Sequence, residues 1–436
     1  MTTVNAPVCD DILVTWGLTD FRPLQREAIE AALTRRDSLV VMPTGSGKSL
    51  CYQAPALYAD GVTVVISPLI SLMKDQVDTL KARGLGAAFL NSTQHPREQE
   101  EIARATLAGD VVLLYVSPER CMSPPFLSLL TRLYGEHRLA AIVVDEAHCI
   151  SQWGQDFRLD YGELGNLRTL FPGVAIHAYT ATARPRVRDE IVAALQLRDP
   201  CVLVGDFDRP NLTLIVDDRV DLDFQLRHLL RDLDGPAIVY TITRAEAERI
   251  AADLWQGGFI SAAAYHAGMP DDARKRVQDK FMAGGVDVIV ATVAFGMGID
   301  KPDVRYVIHA AMPSSLEMYH QQIGRAGRDG LPASCVMFYD DDDFDTWCRI
   351  MKIDRRECLK NLRHGVGAHS LEEHSYLHLT AMYEYCWHSD CRRAFLLKYF
   401  GQDYPADNCA ACDACGSGYL SCTTADPSRD REGAAD

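Results

Sequence analysis

The sequence of 436 residues predicts an α/β protein with two domains built on parallel sheets, followed by a small helical module that carries closely spaced cysteines. Short apolar runs alternate with longer amphipathic segments, as strands and crossover helices do in parallel sheets. The alternation resets near residues 205–211, where Pro210 stands among charged residues. We therefore expect domains at 1–206 and 207–342, a helical module at 343–422 and a disordered polar tail at 423–436.

Length and composition narrow the class of protein. The chain is long enough for roughly two to four domains, and 47% of its residues are hydrophobic, which is enough to form their cores. The net charge of −16 excludes a generally basic surface, so a nucleic-acid partner would have to bind in a local groove. No apolar run approaches the ~18 residues of a membrane span, and the N-terminus lacks a signal-peptide pattern. We expect no membrane partner and a cytoplasmic location, with the nucleus as the alternative.

A phosphate-binding loop is predicted near the start of the first domain. The apolar run 39–42 indicates a buried strand, and a helix is expected to begin near Gly47. The residues between and just after them are Thr44, Gly45, Ser46, Gly47, Lys48 and Ser49. Glycines let successive backbone N–H groups curl around an anion; Lys48 would reach the β- and γ-phosphates, and the Ser49 hydroxyl would bind Mg²⁺. Met42 holds the place of the usual first glycine, and the alternative is a glycine-rich turn with a solvated lysine.

Upstream of this loop, residues 12–33 have helical spacing with a break at Gly17 and Pro23. Gln25 can both donate to and accept from an adenine edge, and Arg22 could stack on the base. An N-terminal helix with polar surface residues explains the segment equally well when it is taken alone.

Three further strands, at 62–66, 111–116 and 140–144, each end in polar residues. Ligands of open parallel sheets gather at the carboxyl ends of strands, so we expect these groups to face one crevice. Asp145 would hold Mg²⁺ together with Ser49, and Glu146 would orient or deprotonate an attacking water. A solvated loop is the alternative. The strand 174–178 leads to a small polar cluster that could couple nucleotide binding to movement.

The segment after the Asp-Glu pair, from Cys149 to Tyr161, is unusually aromatic for a loop. Trp153 and Phe157 could stack on bases, and Arg158 could bind a phosphate or the nucleotide. Aromatic residues at this spacing are more often part of a core.

The second domain repeats the alternation of strands and helices but has no phosphate loop of its own. We expect Arg325 and Arg328 to lie on one face of a helix that begins near Ser315 and to point at phosphates. The alternative is a solvated basic helix end. The acidic run 340–343 is predicted to be a solvated loop.

Cys391, Cys409, Cys412 and Cys415 have the spacing of a tetrahedral zinc site. An iron–sulfur cluster of the bacterial ferredoxin type would require a cysteine near position 419, which is Tyr419. Free thiols are a further alternative, and Cys386, His388 or Cys422 could replace Cys391 as a ligand.

Taken together, these residues resemble the RecQ DNA helicases of helicase superfamily 2 over nearly the whole chain. The motifs that carry the resemblance are Phe21-Arg22-x-x-Gln25, MPTGSGKS from Met42, SPLISLMKDQ from Ser67, DEAHCISQWGQDFR from Asp145, TATA from Thr180, AYHAG from Ala264, ATVAFGMGIDKP from Ala291, QIGRAGRDG from Gln322, and CRR from Cys391 with the cysteine triplet.

The resemblance implies an ATP-driven motor with 3′ to 5′ polarity that acts in DNA repair and recombination. It implies two RecA-like domains with ATP between them, and single-stranded DNA or tailed duplex DNA as partner. The residues expected in ATP hydrolysis are Lys48, Ser49, Asp145, Glu146, Arg325 and Arg328, with Arg328 as the arginine finger. Those expected to bind the nucleotide include Arg22, Gln25 and Asp300. Those expected to sense DNA are His148, Ser151, Gln152, Trp153, Phe157 and Arg158. A monomer is expected, and single-stranded-DNA-binding or other repair proteins are possible partners.

Members of this family usually continue into a winged-helix domain, and many into a further helical domain, whereas this chain ends about twenty residues after Cys415. We expect either a piece of a longer protein or a short natural form. Two other functions follow: a DNA-stimulated translocase that unwinds little, or a zinc-bearing annealing protein in which ATP acts as a switch. An RNA helicase is disfavoured by the cysteine module and the QWGQDFR loop.

Overall fold

In a computed structural model the chain divides into two compact units, Met1–Phe207 and Asp208–Asp436. The structure describes residues 6–68, 70–91, 94–151, 158–231, 233–257, 261–296, 301–355 and 371–416. Within this part of the chain, no helix has the length and apolar character that crossing a bilayer requires.

The first unit is built on a seven-stranded sheet in the order β3-β4-β2-β5-β6-β1-β7, with every neighbouring pair parallel. Its strands are β1 (Ser38–Val41), β2 (Val62–Ile66), β3 (Ala87–Leu90), β4 (Leu113–Val116), β5 (Leu139–Val144), β6 (Ala175–Thr180) and β7 (Cys201–Val204). Its helices are α1 (Ala6–Trp16), α2 (Gln25–Leu33), α3 (Leu50–Ala56), α4 (Ile70–Ala82), α5 (Pro96–Ala108), α6 (Pro118–Cys121), α7 (Pro124–Gly135), α8 (Leu159–Gly162), α9 (Asn166–Leu170) and α10 (Pro185–Ala194). Short 3₁₀ turns span Ala147–Ile150 and Glu163–Gly165.

The central strands of this sheet are buried on both faces, which is why they appear in the sequence as continuous apolar runs. Strands β2, β5, β6 and β1 are consecutive neighbours, so the polar residues that follow them meet at one edge. This edge carries the candidate active site.

The second unit has a six-stranded parallel sheet in the order β10-β11-β9-β12-β13-β8. Its strands are β8 (Leu212–Asp218), β9 (Ala237–Tyr240), β10 (Ala262–Tyr265), β11 (Val288–Ala291), β12 (Tyr306–His309) and β13 (Ala333–Tyr339). The helices are α11 (Leu222–Leu230), α12 (Arg244–Gln256), α13 (Asp271–Met282), α14 (Leu316–Ile323), α15 (Asp341–Met351), α16 (Leu371–Trp387) and α17 (Arg392–Tyr399), and a 3₁₀ turn spans Asp413–Cys415. The predicted fold class, two parallel-sheet domains followed by a cysteine-bearing helical region, is confirmed.

The cysteine-bearing helices pack against the second sheet and share one hydrophobic core with it. The backbone N–H of Leu214 in β8 donates to the Ala411 carbonyl at 3.0 Å. Arg393 of α17 is buried; it pairs with Asp208 and donates to the carbonyls of Arg209 and Leu212 at 2.9 and 2.7 Å. The module is therefore fastened to the edge strand β8.

The prediction that 340–343 forms a solvated loop is wrong. Asp340 caps α15, and Asp343 completes a capping box. Asp343 is 3% exposed, accepts from the Met312 N–H at 3.0 Å and pairs with Arg219 at 2.7 Å. Four consecutive aspartates can begin a helix because carboxylates satisfy free N–H groups and suit the positive end of the helix dipole.

Candidate active site

The phosphate-binding loop follows β1 and ends at Ser49, immediately before α3. Its helix begins at Leu50, three residues later than the sequence suggested, because Gly45 and Gly47 both have positive φ angles, 82° and 83°. At Gly47 a side chain would also collide with a neighbour, since a Cβ there would lie 2.4 Å from Gln25 Nε2. The loop is thus shaped by backbone conformations that L-residues rarely adopt.

Arg22 and Gln25, expected to bind adenine, lie against this loop. Gln25 is buried, and its Nε2 donates to the carbonyls of Ser46 and Gly47 at 3.0 and 3.2 Å. Arg22 Nη1 donates to the Gly45 carbonyl at 2.5 Å, and the Arg22 N–H donates to Gln25 Oε1 at 2.8 Å. These contacts fix the loop through the carbonyl groups of three of its residues. A role toward adenine stays a prediction.

Lys48 and Ser49 are half-buried at the end of the loop. Lys48 Nζ donates to the Met42 carbonyl at 3.0 Å, which folds the side chain back over the loop. Ser46 Oγ donates to the Pro43 carbonyl at 2.6 Å, and half-buried Thr44 lies between them in the chain. The arrangement keeps the Lys48 ammonium group beside the glycine-rich loop, where its positive charge can attract a polyphosphate.

Asp145 and Glu146 follow β5 at the same edge. The Asp145 N–H extends the β2–β5 ladder by donating to the Ile66 carbonyl at 2.8 Å, and the side chain is 5% exposed. Burial and the neighbouring Glu146 carboxylate raise the pKa of Asp145 to about 7, although Lys48 opposes the shift. Two adjacent buried carboxyl groups are costly without a cation, so this donor set fits a hard ion such as Mg²⁺.

The backbone of Glu146 has a left-handed conformation, with φ of 49°, and its N–H donates to Asp145 Oδ1 at 3.0 Å. Glu146 Oε2 is buried and lies 3.3 Å from His148 Nδ1. No hydrogen bond from the described residues reaches this oxygen. A free carboxylate lone pair at this position can accept a proton from water.

His148 links the Asp-Glu pair to β6. Its Nδ1 is 2.8 Å from Thr180 Oγ1, and Thr180 Oγ1 lies 3.1 Å from the Thr182 carbonyl. His148 and Thr180 are both buried. The end of β6 is therefore linked to the candidate base Glu146 through His148.

Of the residues expected to sense DNA, Ser151 and Arg158 can be placed in addition to His148. Ser151 Oγ donates to Glu190 of α10 at 2.5 Å. The Arg158 N–H donates to the Cys149 carbonyl at 3.1 Å, and its guanidinium lies 3.4 Å from the Pro68 carbonyl. Gln152, Trp153 and Phe157 lie outside the described residues, as does Asp300.

In the second unit, Arg325 and Arg328 do not lie on a helical face, and that prediction is wrong. Helix α14 ends at Ile323, so both arginines belong to the turns that follow. Gly324 ends the helix, and Gly327 has a positive φ of 54°. Arg325 is 3% exposed, while Arg328 is half-buried with Nε 3.5 Å from the Gly324 carbonyl.

Arg209 and Asn211 form hydrogen bonds to the turns that carry Arg325 and Arg328. In the sequence these two residues indicated only a domain boundary. Arg209 donates to the Ala326 and Gly327 carbonyls, both at 2.8 Å, and Asn211 Nδ2 donates to the Gly327 carbonyl at 2.9 Å. A Cβ at Gly327 would lie 2.5 Å from Asn211 Nδ2. No spacing rule connects residues more than a hundred positions apart, so the sequence carried no signal for this contact.

The four predicted metal ligands come together. One ligand atom from each of Cys391, Cys409, Cys412 and Cys415 lies within 4.8 Å of the others. Cys386 is not in this group, and Cys422 lies outside the described residues. The Cys409 N–H donates to Cys415 Sγ and the Ala411 N–H to Cys409 Sγ, both at 3.4 Å, which favours thiolates.

Burial raises the pKa of Cys412 to about 12 and also raises that of Cys391. The pKa of Cys409 is lowered despite burial, chiefly by the Ala411 N–H. A buried thiol set of this kind becomes anionic when it binds a metal, and four sulfur ligands with supporting N–H donors fit zinc.

Comparison with known proteins agrees with this geometry. The profiles of the DEAD/DEAH box helicases, the helicase conserved C-terminal domain and the RecQ zinc-binding domain match residues 22–191, 222–330 and 342–416. The Haemophilus influenzae ATP-dependent DNA helicase RecQ is 45% identical over 400 residues, which are 91% of this chain and 62% of the relative. The chain belongs to the RecQ family. The predicted resemblance is thereby confirmed.

A second RecQ relative, from Bacillus subtilis, is 40% identical over 92% of this chain and 65% of its own length. The chain therefore spans less than two thirds of the bacterial RecQ relatives that it matches. Among solved structures, the Mycobacterium smegmatis helicase Lhr bound to ssDNA and AMP-PNP has a TM-score of 0.59 at 20% identity. The structural match covers 87% of this RecQ chain and 57% of Lhr. At this identity it shows a shared fold and nothing further.

Proposed function

We propose that this RecQ-family chain is an ATP-dependent DNA helicase that translocates on single-stranded DNA. The observation that carries the proposal is the meeting of the phosphate-binding loop, the Asp145-Glu146 pair and the His148–Thr180 contact at one edge of the first sheet. The names of the matched relatives, ATP-dependent DNA helicases, support the same activity.

In the proposed reaction, the loop N–H groups and Lys48 bind the β- and γ-phosphates of ATP. Magnesium held by Ser49 and Asp145 would neutralise charge on the phosphate oxygens. Glu146 accepts a proton from the water that attacks the γ-phosphate, since its buried carboxylate oxygen is available. Positive charge from Arg325 and Arg328 would stabilise the transition state, and Arg328 is our choice for the arginine finger.

Coupling to DNA is proposed to run through His148. Movement of the segment 151–158, with Trp153 and Phe157 stacked on bases, would reach Glu146 through the histidine, because His148 contacts both Glu146 and Thr180. Arg22, Gln25 and Asp300 are proposed to bind the nucleotide, and zinc on the four cysteines to stabilise the helical module. The 3′ to 5′ direction, a role in repair and recombination, a monomeric state and a cytoplasmic location belong to the same proposal.

A second candidate is a DNA-stimulated translocase that unwinds little. The described ATP site and the His148–Thr180 contact serve translocation alone equally well, because neither requires strand separation.

One experiment separates these functions: ATP hydrolysis with and without single-stranded DNA, alongside unwinding of duplexes that bear a 3′ or a 5′ single-stranded tail. Stimulated hydrolysis and unwinding of the 3′-tailed duplex support the helicase, while stimulation without unwinding supports the translocase. Lys48→Ala is the control and should abolish both activities. Hydrolysis that persists in this variant would contradict the proposed site.

A further inference from the structure

A chain of hydrogen-bonded side chains lies behind the phosphate-binding loop, where α3 and α4 pack on the first sheet. Gln76 of α4 donates from Nε2 to Ser49 Oγ at 3.1 Å. Its Oε1 accepts from Tyr52 OH at 3.3 Å and from Gln53 Nε2 at 3.2 Å. Gln53 Nε2 also donates to Tyr115 OH of β4 at 2.8 Å. A series of hydrogen bonds thus connects the Ser49 hydroxyl to the buried Tyr115 in the sheet.

Three members of this hydrogen-bonded series of side chains are buried. Tyr52, Gln53 and Tyr115 are 2%, 8% and 1% exposed. The amide of Gln76 is bonded through both Nε2 and Oε1, so rotating it alone by 180° would set its Nε2 against Nε2 of Gln53 and break the network. Rotating both amides by 180° keeps a hydrogen bond between Gln76 and Ser49, with the serine then donating. The hydrogen bond between Gln76 and Ser49 therefore forms in both orientations of the two amide groups.

We propose that Gln76 is a positioning residue for the magnesium ion: it selects the rotamer of Ser49 in which Oγ faces the phosphate-binding loop. This inference rests on the proposed function. An unrestrained serine samples three staggered rotamers, whereas Mg²⁺ demands near-ideal octahedral geometry from its ligands. Removing a partner that orients a metal ligand typically weakens metal affinity roughly 10- to 100-fold.

Gln76 also joins two helices that reach the site from different strands. It lies on α4, which follows β2, whereas Ser49 immediately precedes α3, which follows β1. A displacement of α4 relative to α3 therefore changes the orientation of the Ser49 hydroxyl. In this way Gln76 makes magnesium binding sensitive to the SPLISLMKDQ segment.

The test is a magnesium titration of a fluorescent ADP analogue bound to the protein, which needs no turnover. Gln76→Leu removes both hydrogen-bonding groups at similar volume, and Gln76→Asn keeps an amide that is one methylene too short to reach Ser49. Thr79→Val is the matched control, because Thr79 lies on the same helix and is exposed. Gln53→Leu, alone and combined with Gln76→Leu, tests the chain behind Gln76.

Both Gln76 variants should need roughly 10- to 100-fold more magnesium for half-saturation, with nucleotide binding in EDTA unchanged within about twofold. Gln53→Leu should have a smaller effect that disappears in the double variant, since it acts through Gln76. An unchanged magnesium midpoint in a folded Gln76→Asn protein would overturn the inference and leave the proposed function intact. A wild-type protein that binds no nucleotide at all would overturn both.

Discussion

Replacing Glu146 with glutamine should separate ATP hydrolysis from ATP binding. Glutamine is isosteric, and it can keep both the left-handed backbone at φ 49° and the N–H bond to Asp145 Oδ1. The change removes the free carboxylate oxygen, and positioned general bases contribute about 10²- to 10⁴-fold. At 1.36 kcal/mol per factor of ten, the barrier should rise by about 3 to 5 kcal/mol.

Nucleotide binding should respond in the opposite direction. The Glu146 charge contributes to the raised pKa of Asp145, so its loss lowers that pKa and leaves a better cation ligand. We therefore expect kcat to fall and the affinity for Mg·ADP to stay constant or rise.

Single-turnover hydrolysis and fluorescent-nucleotide titration measure the two quantities. Glu163→Gln, at an exposed position in the same unit, serves as the control. A loss of kcat below about tenfold, or a matching loss of nucleotide affinity, would refute the role of Glu146 as base.

Three further outcomes are expected. Trp153→Ala should lose DNA stimulation of hydrolysis more than the basal rate; equal loss of both rates would contradict its role as sensor. Cys412→Ser should lose its metal and lower the unfolding temperature, as metal analysis and thermal unfolding would show, because metal binding is coupled to folding; a stable, active, metal-free variant would exclude the structural site. Stability should also fall on acidification, because burial lowers the pKa of His177 and His309 to about 4 from 6.5. The unfolded chain binds these protons first, so each histidine should cost about 2 kcal/mol between about pH 7.5 and pH 5. Urea unfolding of His177→Gln and of exposed His228→Gln checks this, and equal pH slopes in the two variants would contradict it.

Most of the first domain's strands could be predicted because strands buried on both faces leave continuous apolar runs. The run at 62–66 matches β2 residue for residue. The edge strands β7 and β8 were not predicted: β7 has only four residues, and Thr213 and two aspartates interrupt the apolar pattern of β8. The end of α14 was placed too late, because small residues and arginines continue a helical pattern through the glycines that break it.

By itself, the sequence determined which chemical groups this protein can use. Glycine spacing, the Gly-Lys-Ser run, Asp145-Glu146 at the end of an apolar strand and the cysteine triplet each have a local physical meaning, so they can be recognised without coordinates. Tertiary structure alone decided which groups hold these residues in place. Four contacts join parts of the chain that are distant in sequence: Gln76 with Ser49, Thr180 with His148, Asn211 with Gly327, and Arg393 with Asp208. They arise from strand order and helix packing, and side-chain periodicity along one element contains no information about them.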